Sequence, residues 1–154
     1  MTSIHDSLSW NWLSFEQLDI NRLYGLLQLR EQVFQIEQNS LYVDIDGADQ
    51  QAQHLLVEQS GQLLGYLRVL QPQPQLIKLG RIVVAPSGRG LKLGRKMIEA
   101  GIEKAQQLCP QGMIKISAQV TLQGYYQSFG FEVISAAYDD GGVMHQDMQL
   151  SLPR

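Results

Sequence analysis

The stretch Ile82-Val83-Val84-Ala85-Pro86-Ser87-Gly88-Arg89-Gly90-Leu91-Lys92-Leu93-Gly94-Arg95-Lys96 runs an apolar strand through a glycine-rich, basic turn and straight into an amphipathic helix. Such a turn aims unpaired backbone N–H groups at one point, and the helix dipole adds roughly half a positive charge there. Lys92, Arg95 and Lys96 crowd the helix end that ordinarily favours Asp or Glu, so the isolated helix gains stability from an anion placed among them. No acidic residue lies between Glu58 and Glu99, while six of the twelve Lys and Arg fall between Lys78 and Lys96. The segment predicts a cradle for a phosphate-bearing ligand.

The remaining composition separates this local charge from a nucleic-acid surface. The 154-residue chain carries a net charge of −3 and has a pI near 5.5, so the positive charge is confined to one region and no nucleic-acid partner is expected. Hydrophobic residues make up 44% and charged residues 18%, a globular balance for a single domain over residues 1–154. The lone Cys109 excludes an internal disulfide, reads as a packed residue before Pro110, and belongs to no CxxC or His/Cys cluster, so no metal site is expected. Residues 1–9 lack the basic start and apolar run of a secretory signal, and no stretch approaches the ~20 apolar residues that span a membrane. The expectation is a cytoplasmic protein without a membrane partner.

Hydrophobic periodicity then orders the elements. Trp10 and Trp12 mark an edge strand, and Asp19 is placed to cap a helix over 19–36 whose apolar positions are Leu23, Leu26, Leu27, Val33 and Phe34. Residues 37–49 read as a polar loop; 54–58 and 63–70 form a hairpin about Ser60-Gly61, and Pro72 and Pro74 punctuate the next connection. A strand over 76–84 leads into the second helix, with Leu93, Met97, Ile98, Gly101, Ile102, Ala105 and Leu108 on one face. A central strand over 113–118 is followed by a short helix over 120–129 stopped at Gly130, then strands over 131–135 and 144–150 joined by a turn at 138–142. This order predicts an α/β (α+β) domain, with helices on a mixed, mostly antiparallel central sheet.

Two common phosphate loops do not fit the basic turn. A P-loop requires GxxxxGK[ST], and both the spacing and the hydroxyl are missing; a G-x-G-x-x-G fingerprint requires glycines closer than Gly88, Gly90 and Gly94 and a place after the first strand. Arg89-Gly90-Leu91-Lys92-Leu93-Gly94 instead resembles the [RQ]-x-x-G-x-[GA] turn of the GNAT superfamily of N-acetyltransferases, with Lys92 standing where the first motif glycine normally falls. Leu122-Gln123-Gly124-Tyr125-Tyr126-Gln127-Ser128-Phe129-Gly130-Phe131 resembles a second signature of that superfamily, a short helix ending in YxxxGF. Together with Leu29 to Phe34, Glu37-Gln38, Asp44-Ile45-Asp46-Gly47 and Gln119, nearly the whole chain is similar to the ElaA-like branch.

The resemblance implies an enzyme that transfers an acetyl group from acetyl-CoA, its co-substrate, directly to a primary amine in a ternary complex. Backbone amides of Arg89, Gly90, Leu91, Lys92, Leu93 and Gly94, with Lys92 and Arg95 nearby, would hold the pyrophosphate. The main chain of Ile82, Val83 and Val84 would pair with the pantetheine arm, and an amide there would polarise the thioester carbonyl. Tyr126 would be the general acid toward the departing thiolate, against a plain reading as a half-buried helix tyrosine; Tyr125 is assigned to packing. Gln123 is either a cofactor contact or a solvated polar side chain.

A base must take a proton from the amine, directly or through water, and Glu37, Asp44, Asp46, Asp49 and His54 are candidates by loop position, each with an alternative reading as turn capping, surface solvation or a satisfied strand-end histidine. The acidic loop as a group would attract a cationic amine. Arg30 falls on the apolar stripe of the first helix and reads as a paired structural arginine. Two other functions stay open: a non-catalytic acyl-CoA-sensing or protein-binding module, and an acyltransferase resembling the acyl-homoserine-lactone synthases. Exposed edge strands permit a homodimer without requiring one. The acceptor, a small molecule or a protein lysine, is not fixed by the sequence.

Overall fold

The second helix is built as its pattern demands. In the computed structural model, which describes residues 7–154, α2 (Leu93–Leu108) buries Leu93, Met97, Ile98, Gly101, Ile102 and Ala105. Leu108, expected on the same face, is 39% exposed because the helix ends there, before Cys109, which is buried. Gly101 brings α2 close to the sheet: a Cβ there would meet methyl carbons of Leu79 and Leu67 at 3.2 and 3.3 Å. Residues 1–6, the larger part of the segment read as lacking a secretory signal, lie outside the described residues.

Beneath α2 lies one eight-stranded sheet. Its strands are β1 (Ser9–Ser14), β2 (Gln53–Gln59), β3 (Gln62–Gln73), β4 (Leu76–Val84), β5 (Met113–Gln119), β6 (Glu132–Val133), β7 (Tyr138–Asp140) and β8 (Val143–Ser151). The order is β1-β2-β3-β4-β5-β8-β6, with β7 also paired to β8. Every pairing is antiparallel except β4 with β5, the pair that α2 connects. The mixed, mostly antiparallel sheet follows the expected order, with three local differences. β3 continues through Pro72 because its register against β4 shifts between Leu70 and Gln73, where an irregularity tolerates a missing N–H. The turn expected over 138–142 tightens to Gly141 and Gly142, both at positive φ, which frees Tyr138–Asp140 to pair as β7. The helix expected over 120–129 resolves into a 3-10 turn (Val120–Leu122) and the short α3 (Gln123–Gln127).

The opposite face of the sheet is covered by α1 (Ile20–Arg30), whose N-terminus is capped by the Asp19 carboxylate accepting from the Arg22 amide at 2.8 Å. Leu26, Leu29 and Val33 form a second core with Leu56, Tyr66, Val83 and Ala85. The single helix expected over 19–36 changes form midway: Glu31–Glu37 is π-helical, closed by the Gln38 amide on the Val33 carbonyl at 2.8 Å. Such widened turns rotate the residues that follow, and here Phe34 and Gln38 turn toward the open end of the sheet.

Candidate active site

β4 and β5 pair only from Leu76 against Met113 to Lys78 against Lys115; beyond that point each runs on without the other. The separation has a local cause on β4. Tyr66 opposes Val83 while Arg68 opposes Gly80, so β4 carries a bulge in which Arg81 takes φ +50, a left-handed conformation that costs energy for any side chain. The parting strands open a cleft of about 530 Å³ lined by both of them, by Phe34 and Gln38 from the π-helical turn, and by Tyr126. Ile82 lines this cleft, whereas Val83 and Val84 pair on their other side with Tyr66 and Gly65.

The basic turn leaves β4 at the same end. Its glycine-like position is Lys92, which adopts φ +58 and ψ +32 directly before α2. Lysine thus occupies a left-handed conformation, one that glycine adopts without strain. No side chain caps α2 and no acidic residue lies in its first turn, so its leading amides are open to a ligand. The charged side chains divide their work. Arg89 donates from Nε to the Val84 carbonyl at 3.3 Å and pairs through Nη2 with Glu37 at 2.8 Å. Arg95 donates to Ser128 Oγ at 2.7 Å, with its guanidinium 4.3 Å from the centroid of Phe129. Lys92 and Lys96 have no such commitment among the described residues.

α3 joins the turn to the cleft. A Cβ on Gly94 would stand 3.5 Å from the Tyr125 hydroxyl, and the Tyr125 ring meets Tyr126 edge to face at 5.4 Å. Tyr126 is 9% exposed and packs edge-on against Phe131 while still lining the cleft. Burial, with the neighbouring Tyr125, pushes its phenol up to about 12, so it holds its proton at neutral pH and offers a hydrogen-bond donor. Gln123 accepts from Gln146 Nε2 at 2.9 Å, which fixes its side chain against β8.

An uncapped basic helix start, two parallel strands that part and a buried tyrosine lining the cleft between them form one constellation. Residues 20–152 match the acetyltransferase (GNAT) domain family. The chain belongs to the GNAT acetyltransferase family. It is 35% identical to protein ElaA of Escherichia coli over 92% of its length and 95% of that protein. Its structure superimposes on that of an acyl-CoA N-acyltransferase from Pseudomonas aeruginosa with a TM-score of 0.89, at 35% identity over 94% of this chain and all of the other. The crystal structure of E. coli ElaA gives 0.86 at 34% identity, covering 93% and 99%.

Within this GNAT domain the acidic loop has a different role from the expected lure for a cation. Arg30, fully buried, pairs with Asp44 at 2.9 Å and Asp49 at 2.8 Å; Arg68 pairs with Asp46 and Asp49, and Arg81 with Asp44 and Asp46. Three carboxylates meet three guanidinium groups, so the cluster contributes no net negative field; it fastens the loop to β3 and β4. The arginine reading is right, and the residue is more deeply buried than a helix stripe suggests. Among the base candidates, only Asp46 lines the cleft. Asp44 and Asp49 are buried in ion pairs and Glu37 is held by Arg89. His54 is fully buried: Nε2 donates to the Asp49 carbonyl at 2.9 Å, which leaves Nδ1 to accept from the Tyr66 hydroxyl. It is a satisfied strand histidine.

Sequence reading passed over the far wall of the cleft. His145 lines it from β8, beside Ser117 and Gln119 of β5 and Asp140 of β7. His145 Nδ1 donates to the Val143 carbonyl at 2.8 Å, and its ring lies 6.4 Å from that of Tyr138 at 26° from parallel. The Tyr138 hydroxyl in turn donates to Asp147 Oδ1 at 2.6 Å and meets Ser117 Oγ at 2.5 Å. The one available signal was strand alternation: His145, Asp147 and Gln149 alternate with the buried Gln146, Met148 and Leu150.

Proposed function

We propose that this GNAT protein is an acetyl-CoA-dependent N-acetyltransferase, acting in the cytoplasm and passing the acetyl group directly to a primary amine in a ternary complex. The observation that carries the reading is the uncapped, basic start of α2 at the end of the cleft between β4 and β5. Amides of residues 89–94, with the ammonium groups of Lys92 and Lys96, would hold the pyrophosphate. The edge of β4 along Ile82, Val83 and Val84 that faces away from β3 would accept the pantetheine arm as a further strand, with an amide there aimed at the thioester carbonyl. The bound co-substrate supplies an activated acyl group. Tyr126 would donate to the sulfur as negative charge develops there. Direct transfer is favoured because the single cysteine is buried at the C-terminal end of α2, opposite the cradle.

Calorimetric titration with acetyl-CoA, with ATP and NAD as controls, tests the cradle, and thiol release with a panel of amines tests the transfer. Selective micromolar binding with amine-dependent release is the expected result. Binding without release on any amine would favour an acyl-CoA sensor, and no binding would remove acetyl-CoA as the donor.

A further inference from the structure

We infer that His145 accepts the proton of the attacking amine, a role that deepens and rests on the acetyltransferase reading. Of the chain's three histidines, His5 lies outside the described residues and His54 has both ring nitrogens engaged, so among the described residues His145 is the one imidazole facing the cleft. Its geometry suits a base. A carbonyl only accepts, so the bond to Val143 places the proton on Nδ1 and leaves the lone pair on Nε2. The Tyr138 ring, anchored through its hydroxyl to Asp147 and Ser117, backs the imidazole and limits its rotation.

The position in the sheet agrees. His145 opposes Gln119, the last residue of β5, well beyond the point where β4 and β5 part. Strand alternation puts it on the face of β8 away from the core to which Tyr126 belongs. An acyl group lying in the gap would therefore have a donor on one side and an acceptor on the other. Asp46, which also lines the cleft, is poorly suited: burial alone would raise its carboxyl, but hydrogen bonds from Arg68 and the Ala48 amide, with the charges of Arg68 and Arg81, hold it far below the usual range. Asp140 lines the cleft as well, and carboxylates are intrinsically weaker bases than imidazole.

In the step so defined, the amine lone pair forms the C–N bond to the acyl carbon and its proton passes to His145 Nε2. The C–S bond breaks with its electron pair on sulfur, which takes the Tyr126 proton. The imidazolium then releases its proton to solvent and the phenol regains one, so thioester and amine become amide and thiol.

The test is thiol release from acetyl-CoA by wild type and His145→Gln, with a primary alkylamine and with a weakly basic arylamine, whose nitrogen, once bonded to the acyl carbon, is acidic enough to lose its proton to water. A loss of about 100-fold on the alkylamine, within the usual range for general-base catalysis, and a much smaller loss on the arylamine are expected, with acetyl-CoA affinity by calorimetry unchanged. Free imidazole should restore part of the activity of His145→Ala. Equal rates for wild type and variant on the alkylamine would overturn this inference alone. Absence of release by wild type on every amine would overturn the acetyltransferase reading and this inference with it.

Discussion

The Tyr125 hydroxyl stands 3.5 Å from the place a Cβ would take on Gly94. Two segments that are separate in sequence, the basic turn and the YxxxGF helix, thus meet at one point, and Arg95 ties them further by its bond to Ser128 and its position over Phe129. The start of α2 is thus packed against the helix that carries Tyr126.

Gly94 therefore offers a graded test of the cradle. Gly94→Ala places a methyl at ordinary contact distance from Tyr125 and should leave acetyl-CoA affinity within about threefold. Gly94→Glu adds bulk and negative charge at the helix start, and calorimetry should show affinity falling by about 100-fold. Normal affinity in the glutamate variant would move the phosphate site elsewhere.

Tyr126→Phe keeps the edge-to-face packing on Phe131 and removes the donor. Turnover should fall by about 100-fold, with affinity for acetyl-CoA and thermal stability nearly unchanged. Unchanged turnover would take Tyr126 out of the mechanism.

Lys92 sits at φ +58, which costs an L residue on the order of 1 kcal/mol relative to glycine. Lys92→Gly should raise the unfolding midpoint by a few degrees while weakening acetyl-CoA binding through loss of the ammonium. Lys92→Ala should weaken binding equally without the gain in stability. A stable glycine variant with full affinity would show that the ammonium does not reach the ligand.

Removing the Arg30 side chain leaves Asp44 with Arg81 alone and Asp49 with Arg68 alone, two buried carboxylates each short of one guanidinium. Arg30→Met should cost about 3–5 kcal/mol in chemical denaturation, and adding Asp49→Asn should recover part of that loss because one buried carboxylate no longer needs a partner. A cost under about 1 kcal/mol would mean that the loop is held chiefly by Arg68 and Arg81.

Burial lowers the His54 imidazole below its ordinary 6.5, with the bond to the Asp49 carbonyl opposing, so the folded chain keeps it neutral where the unfolded chain takes up a proton. Its contribution to stability is fully present above pH 6.5 and is lost as pH falls below it, by at most about 1.4 kcal/mol per pH unit. The depressed carboxyls of Asp46 and Asp49 lose their contribution only below pH 3.8 and do not enter this window. Denaturation between pH 7.5 and 5 should show the slope in wild type and lose it in His54→Gln. An identical slope in both would assign the titration to another group.

Most elements were legible because they repeat locally. The apolar stripe of α2, the Asp19 cap, the Ser60-Gly61 turn and the ordered motifs around Lys92 and Tyr126 are set by residues within a few positions of one another. The π-helical turn was not, since a widened turn has no pattern of its own and depends on what Phe34 and Gln38 pack against.

By itself the sequence determined a mixed sheet and a second helix that opens on uncapped amides among basic side chains, since strand and helix periodicity and unpaired N–H groups at a helix end follow from chain chemistry alone. Only the tertiary structure decided the electrostatics of the cleft. The carboxylates of Asp44, Asp46 and Asp49 look like a negative surface until Arg30, Arg68 and Arg81 arrive from α1, β3 and β4 to neutralise them. His145 looks like one more strand residue until the register of β8 against β5 and β7 turns it toward the gap beside β4. Charge balance and the direction of a side chain depend on partners distant in the chain, and only folding brings those within reach.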